Sequence, residues 1–263
     1  MSIPRYMAGA EPFSLEGGRA SVLLLHGFSG SVSEIRELGG RIRAAGFSVF
    51  APSLAGHGSS PDDLARATRE DFFSAVEDAY QQASRSAERV YIVGLSMGGA
   101  LGLHVAARHP VSAIVTISTP AFMGKLVSMT VPLLVRWLPH RQVVSNYAAW
   151  RGEVVGYRTT PLRSLGVFLD VLKHVRRELP RVLAPLLVLH STGDQTVPAA
   201  NARFIAAHVG SEHKQVRIYR GGRHLLTMPP DLDRVSEDVL EFLNAREAHH
   251  VAGAGVHTRG GQV

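Results

Sequence analysis

The stretch Gly94-Leu95-Ser96-Met97-Gly98 indicates the fold of this 263-residue chain. It follows an apolar run at residues 90–93 that reads as a buried strand, and it precedes a helical pattern at residues 97–109. A serine on so sharp a strand-to-helix turn has a strained backbone, and the flanking glycines avoid side-chain clashes there. The helix N-terminus behind it offers free N–H groups to developing negative charge. The stretch therefore predicts an exposed nucleophile at Ser96.

Outward from this turn, short apolar runs alternate with amphipathic patterns along the chain. The other predicted strands are residues 21–25, 47–51, 113–117, 186–190 and 216–219, and the other predicted helices are residues 32–45, 68–84, 199–208 and 231–244. The strands show little polar alternation, which is typical of strands covered by helices on both faces. The alternation predicts an α/β fold with a mostly parallel central sheet flanked by helices.

One long interval, residues 119–185, carries helix-like segments and no strand pattern. A structureless loop of that length is implausible in a compact domain, so an inserted helical cap is predicted. The predicted organisation is an α/β core of residues 1–119 and 185–245 and a cap of residues 120–184. Residues 246–263 are rich in Gly, Ala and His and aperiodic, and a disordered tail is predicted there.

Composition and missing motifs exclude several function classes. The chain has no cysteine, which excludes disulfides, thiolate metal sites and a cysteine nucleophile. Its formal net charge of +6 comes from arginines scattered along the chain without a recognisable binding module, so no nucleic-acid partner is expected. There is no HExxH, no acidic calcium loop and no GxGxxG opening a βα unit. Neither a metal nor a cofactor is predicted.

The sequence also predicts a compartment. No secretory leader is visible in the first thirty residues. The strongest apolar run, residues 126–138, is broken by Pro132 and Arg136 and is too short to span a bilayer. We expect no membrane span and a cytoplasmic protein, and the sequence leaves open whether it forms a homo-oligomer.

Three segments together resemble one known family. They are GLSMGG at residues 94–99, LHGFSG at residues 25–30 and Gly56-His57-Gly58. In matching order from about Ser21 to Asn244, the chain is similar to bacterial carboxylesterases and monoacylglycerol lipases of the α/β-hydrolase superfamily. The resemblance implies the α/β-hydrolase fold and cleavage of carboxylic esters.

An ester hydrolase needs N–H donors for the oxyanion that forms during acyl transfer. The backbone N–H of Met97, directly after the nucleophile, is the first predicted donor. The resemblance implies the Phe28 N–H, in the loop after an early strand, as the second. His26 and His57 are interpreted as residues that hold loops in place and not as catalytic bases.

A serine nucleophile also needs a general base that is oriented by an acid, and in this fold the acid precedes the base in the chain. Asp194 lies in a polar turn after the strand at residues 186–190, and the run Gly193-Asp194-Gln195-Thr196-Val197-Pro198 is similar to the family's G-D-x-x-V-P. His224 follows the last strand and a glycine pair, whereas the other candidate histidines lie on helices or in the tail. A Ser96–His224–Asp194 triad is therefore predicted.

The substrate prediction depends on the cap. Met123, Met129 and Trp137 are the predicted acyl-pocket residues, although the same side chains could equally form the cap's own packing surface. A short-to-medium-chain ester or a monoacylglycerol is the preferred substrate. Thioester hydrolysis, acyl transfer and carbon–carbon bond cleavage on the same triad remain alternatives. A non-catalytic ligand-binding protein on this scaffold is a further alternative from another class.

Overall fold

The computed structural model describes residues 6–18, 20–145 and 154–257, with only the backbone described for residues 251–257. The strands are β1 (Phe13–Leu15), β2 (Ala20–Leu25), β3 (Ser48–Ala51), β4 (Arg89–Leu95), β5 (Ala113–Ile117), β6 (Gln142–Val144), β7 (Thr159–Pro161), β8 (Leu186–Ser191) and β9 (Lys214–Tyr219). Seven of them form one sheet in the order β1-β3-β2-β4-β5-β8-β9. All neighbours pair in parallel except β1, which lies antiparallel to β3.

Helices cover both faces of this sheet. They are α1 (Arg36–Ala44), α2 (Pro61–Arg66), α3 (Arg69–Arg85), α4 (Met97–Ala106), α5 (Lys125–Trp137), α6 (Leu162–Glu178), α7 (Ala200–His208) and α8 (Leu232–His257). The strand side chains alternate between two hydrophobic clusters, one with α1 and α8 and the other with α3, α4 and α7. The predicted mostly parallel sheet flanked by helices is confirmed.

The segment between β5 and β8 differs from its sequence-based description. It contains α5 and α6 as expected, but β6 and β7 pair antiparallel within it, where no strand was predicted. Both strands have only three residues, which is too short for a periodic pattern. The segment is joined to the core through Ser164, whose hydroxyl donates a 3.0 Å hydrogen bond to the carbonyl of Leu64. Residues 146–153, inside the predicted cap, lie outside the described part.

The last helix continues well beyond the predicted end at Asn244. α8 extends to His257, so residues 246–257 are helical where a disordered tail was expected. Glu247 explains part of this extension, because it accepts hydrogen bonds from Arg89 and from the Tyr91 hydroxyl at 2.6–2.7 Å. A sequence pattern cannot reveal such a long-range anchor. Residues 258–263 lie outside the described residues.

No helix in the described ranges combines the length and the apolar character that crossing a bilayer requires.

Candidate active site

Ser96 lies on the sharp turn between β4 and α4. Its backbone has φ 52° and ψ −117°, a left-handed conformation that side-chain-bearing residues rarely adopt. A Cβ at Gly94 would lie 2.4 Å from the Gly99 nitrogen, and one at Gly98 would lie 2.3 Å from the Leu25 carbonyl oxygen. Both positions therefore require glycine. The turn is fixed because the Ser96 N–H donates a 2.8 Å hydrogen bond to the Ile117 carbonyl on β5.

The structure brings Ser96, His224 and Asp194 together in one hydrogen-bonded line. The Oγ of Ser96 lies 3.1 Å from Nε2 of His224, and Nδ1 of His224 lies 2.8 Å from Oδ2 of Asp194. Ser96 follows β4, Asp194 follows β8 and His224 follows β9, so all three come from the carboxyl ends of strands in one sheet. Residues at these ends meet at one edge of a parallel sheet. The arrangement allows His224 to take the Ser96 proton while Asp194 fixes its tautomer.

The Asp194 carboxylate is fully buried and has four hydrogen-bond donors. Its Oδ1 accepts from the backbone N–H groups of Thr196 and Val197 at 2.8 and 2.9 Å, and its Oδ2 accepts from His224. The fourth donor is His190, whose Nε2 lies 3.3 Å from Oδ2. Burial by itself raises the pKa of the Asp194 carboxyl, but the hydrogen bonds from His190 and His224 outweigh it. The pKa is held well below its ordinary range, so Asp194 is ionised.

His190 is a site residue that the sequence analysis missed. It is completely buried on β8, and its Nε2 also lies 3.1 Å from the Val197 carbonyl oxygen. Both neighbours of Nε2 are acceptors, so this nitrogen carries the proton and shares it between them. A histidine four positions before Asp194, at the end of a strand, is the only signal in the sequence.

Phe28 lies in a loop whose two neighbouring N–H groups are both bound. The Gly27 N–H donates to Oε2 of Glu34 at 3.0 Å, and the Ser29 N–H donates to Nε2 of His57 at 3.0 Å. Within the described part of the chain, neither the Phe28 N–H nor the Met97 N–H donates to another protein group. Two N–H groups without protein acceptors, one on a fixed loop and one opening a helix, form a suitable site for an oxyanion.

The predicted loop-holding roles of His26 and His57 are confirmed. His26 bonds the Gly27 carbonyl through Nδ1 at 2.9 Å and accepts from the Leu54 N–H through Nε2 at 3.1 Å. Burial lowers the pKa of His26 to about 4 and that of His57 to about 3. Both rings are uncharged at neutral pH, which lets each accept a backbone N–H through Nε2.

A cavity of about 370 Å³ opens from Ser96 towards the segment between β5 and β8. Its lining is mostly apolar and consists of Phe28, Ser29, Ser96, Met123, Val127, Val131, Val143, Val144, Ser145, Thr160, Leu165, Phe168, Gln195, Thr196, Val197, His224 and Leu225. Phe168 stacks on Phe28 with ring centroids 4.7 Å apart, so α6 contacts the loop that carries Phe28 directly. No carboxylate stands among the lining residues that the structure describes.

Of the three cap residues predicted to line the pocket, only Met123 does so. Met129 and Trp137 lie on the outer face of α5, with 60% and 77% of their surface exposed, and the prediction is wrong for both. The inner face carries Val127 and Val131, which are one helical turn apart. Because both faces of α5 are apolar, the sequence pattern could not indicate which one turns inwards.

One group of side chains away from the cavity has metal-ligand chemistry. His104, His174 and Glu178 offer ligand atoms within 4.8 Å of one another. Glu178 already accepts hydrogen bonds from His104 at 2.6 Å and from Arg108 at 3.0 Å. Arg108 balances the charge of Glu178, whereas burial lowers the pKa of His104 and keeps its ring uncharged. We therefore interpret the group as a hydrogen-bonded network that ties α4 to α6.

Comparison with known proteins agrees with this geometry. The sequence model of the family described as "Serine aminopeptidase, S33" matches residues 17–231. The chain is 30% identical over 245 residues to the thermostable monoacylglycerol lipase of Bacillus sp. (strain H-257), covering 90% of this chain and 95% of that protein. It is 29% identical over 242 residues to a carboxylesterase of Bacillus subtilis (strain 168), covering 89% of this chain and 96% of that protein.

The fold is also similar to solved structures. A structure from work on the metagenome-derived lipolytic enzymes LipS and LipT has a TM-score of 0.84 and 27% sequence identity, covering 92% of this chain and all of that one. The monoacylglycerol lipase of Paleococcus ferrophilus has a TM-score of 0.74 at 19% identity, covering 90% of this chain and 99% of that one. At 19% identity, the similarity to the Paleococcus ferrophilus enzyme is a similarity of fold alone.

Proposed function

Because the chain belongs to the serine aminopeptidase S33 family and is an ester hydrolase of the α/β-hydrolase fold, we propose that it cleaves monoacylglycerols and short-to-medium-chain acyl esters through an acyl-enzyme on Ser96. The observation that carries this proposal is the line from Ser96 Oγ to His224 Nε2 at 3.1 Å and from His224 Nδ1 to Asp194 Oδ2 at 2.8 Å. A serine, a base and a buried carboxylate in this order are the groups that acyl transfer needs.

The proposed reaction has two half-reactions. Ser96 Oγ attacks the ester carbonyl while its proton passes to Nε2 of His224, and the carbonyl oxygen becomes an oxyanion held by the N–H groups of Phe28 and Met97. The carbon–oxygen bond to the alcohol then breaks, and the alcohol leaves with the proton from His224. Water attacks the acyl-enzyme, gives its proton to His224, and the acid departs as Ser96 recovers its proton.

Asp194 supports both half-reactions by stabilising the imidazolium of His224. Its depressed pKa keeps the carboxylate charged throughout the range in which ester hydrolysis is measured. The sign follows from linkage: a carboxyl with a lowered pKa loses its charge only as the pH falls through that lowered value. Asp194 therefore does not limit activity near neutral pH.

The cavity supports an acyl substrate of limited length. Its volume of about 370 Å³ is near the lower end of the roughly 300–1,000 Å³ typical of small-molecule sites. The family description names a peptidase, but an aminopeptidase substrate carries a free amino group, and the described lining offers no carboxylate to pair with it. The apolar inner face of α5, with Met123, Val127 and Val131, favours an aliphatic acyl chain instead.

The test is a kinetic comparison of substrates. We would measure kcat/KM for p-nitrophenyl esters of increasing acyl length, for monoacylglycerols and for matched acyl thioesters, with the wild type and Ser96→Ala. We expect a maximum at short to medium chains, hydrolysis of monoacylglycerols and loss of activity in Ser96→Ala. A higher kcat/KM for thioesters than for the matched esters would contradict the substrate assignment, and an active Ser96→Ala would contradict the nucleophile.

A further inference from the structure

We propose that the chain has a second ligand site, on the sheet edge opposite the active site, that binds an organic anion with an apolar body. The site is a cavity of about 580 Å³ between the end of α4, the loop before β8 and residues 246–250 of α8. It does not depend on the proposed function, because no residue of the Ser96 cavity lines it.

Strand topology separates the two sites. Ser112, Pro185 and His213 line this cavity and directly precede β5, β8 and β9, whereas Asp194 and His224 follow β8 and β9. β8 has six residues and is therefore about 20 Å long. A molecule bound at one edge of the sheet cannot reach the triad at the other.

The charge of the lining selects an anion. Three arginines, Arg108, Arg181 and Arg246, and four histidines line the cavity, and the described lining includes no Asp or Glu. Arg108 is paired with Glu178 at 2.8 Å, but within the described ranges neither Arg181 nor Arg246 forms an ion pair with a carboxylate. Two guanidinium groups without counter-charges beside one cavity attract a carboxylate or a phosphate.

The rest of the lining favours a ligand that has an apolar part besides its charged group. Alanine, proline and valine side chains form much of the wall, and Leu183, two positions after Arg181 in the chain, also lines the cavity with 71% of its surface exposed. A large apolar side chain so exposed next to an uncompensated arginine offers contact to both halves of an amphiphilic anion. Aliphatic carboxylates have this chemistry, whereas inorganic phosphate has only the charge.

The α8 extension makes the site a permanent feature of the fold. Arg246, His249 and His250 come from the part of α8 beyond Asn244. Glu247 lies between them and is bound to Arg89 and Tyr91 on β4, so this part of the helix is held against the sheet. The cavity wall that α8 supplies is therefore anchored by a long-range ion pair.

The test uses decanoate as the ligand. Decanol, which has the apolar chain without the charge, and inorganic phosphate, which has the charge without the chain, are the controls. Isothermal titration calorimetry would be run on the wild type, on Arg181→Glu and on Arg203→Glu. Arg203 is an exposed arginine on α7 outside both cavities and provides the same change in charge. Decanoate can also enter the Ser96 cavity, which Val131 lines. Val131→Trp fills that cavity and therefore shows which part of the measured binding takes place there.

We expect two classes of decanoate binding in the wild type and in Arg203→Glu. Arg181→Glu should weaken one class by roughly tenfold or more, and Val131→Trp should abolish the other. Neither decanol nor phosphate should bind at the site that Arg181→Glu weakens. The proposal is overturned if Arg181→Glu binds like Arg203→Glu, if Val131→Trp removes all binding, or if phosphate alone fills the site as tightly as decanoate. His213→Glu replaces Arg181→Glu if melting curves show that the latter is unfolded.

Discussion

Replacing Asp194 with asparagine changes one oxygen into an amide nitrogen at the centre of the hydrogen-bond line. If the amide nitrogen takes the place of Oδ2, it faces Nδ1 of His224 and the shared proton of His190. If it takes the place of Oδ1, it faces the N–H groups of Thr196 and Val197, at 2.8 and 2.9 Å from the native oxygen. In both orientations a donor faces two donors. The Thr196 and Val197 N–H groups cannot change tautomer whereas His224 can, so we expect the amide nitrogen in the place of Oδ2, where the native tautomer of His224 loses its acceptor.

The structure sets the size of the effect. With the amide nitrogen towards it, His224 satisfies the contact only by moving its proton from Nδ1 to Nε2, and Nε2 then cannot accept the Ser96 proton. Losing the correct tautomer of the base lowers kcat by about 10⁴-fold in serine hydrolases, which corresponds to about 5.5 kcal/mol of transition-state stabilisation. The Phe28 and Met97 N–H groups are untouched, so a residual rate above that in water should remain.

The assay is steady-state hydrolysis of a p-nitrophenyl ester by Asp194→Asn and by Asp170→Asn. Asp170 is a matched control because its half-exposed carboxylate pairs with Arg69 on the surface, an interaction of little energetic weight. We expect a loss of about 10⁴-fold in kcat for Asp194→Asn and a change within about twofold for Asp170→Asn. If Asp194→Asn keeps more than a tenth of the wild-type kcat, Asp194 is not the acid of the triad and the reasoning above is refuted.

Three further predictions follow from the site. His190→Leu removes one of the four donors to Asp194 and should lower kcat about tenfold, while the pH at which activity is lost should stay unchanged because protonation of the base His224, and not of Asp194, sets it; His190→Gln, which keeps a donor, should restore most of kcat. Val131→Trp should lower kcat/KM for decanoyl esters by about tenfold or more and leave acetyl esters within about threefold, measured across p-nitrophenyl esters; an unchanged length profile would contradict the acyl cavity. Gly98→Ala places a Cβ 2.3 Å from the Leu25 carbonyl oxygen and should lower Tm by several degrees and abolish activity; a variant as stable and active as the wild type would show that the turn tolerates a side chain.

The sequence was sufficient for the six parallel strands of the sheet and for the residues that follow their carboxyl ends, but it did not predict the antiparallel edge strand β1. Most of the parallel strands are short apolar runs, and Ser96, Asp194 and His224 each lie in the turn or loop after such a strand, so their meeting is a consequence of topology. The N–H of Met97 could be placed for the same reason, since it opens the helix behind the serine. These residues could therefore be assigned from their positions along the chain relative to the strands.

The contacts that join distant segments could not be predicted. His190 touches Asp194 only because the turn at residues 192–197 folds back over the end of β8. Glu34 holds the loop that carries Phe28 from a short turn of 3-10 helix, and Phe168 reaches Phe28 from α6. Each of these contacts depends on tertiary packing, for which a single sequence carries no periodic signal.

The sequence could not indicate the orientation of α5 for a different reason. Its inner residues Val127 and Val131 and its outer residues Met129 and Trp137 are all apolar. An amphipathic pattern identifies the buried face of a helix only when the other face is polar. With apolar side chains on both sides, packing against α6 decides which face turns inwards.

Covalent labelling by a fluorophosphonate tests the central claim most directly, because the reagent reacts with a serine only where a base and an oxyanion site are in place. Intact-mass spectrometry should show one adduct on the wild type, peptide mapping should locate it at Ser96, and a folded Ser96→Ala should remain unlabelled. An unlabelled wild type, or labelling that persists in Ser96→Ala, would contradict the assignment of Ser96 as the activated nucleophile.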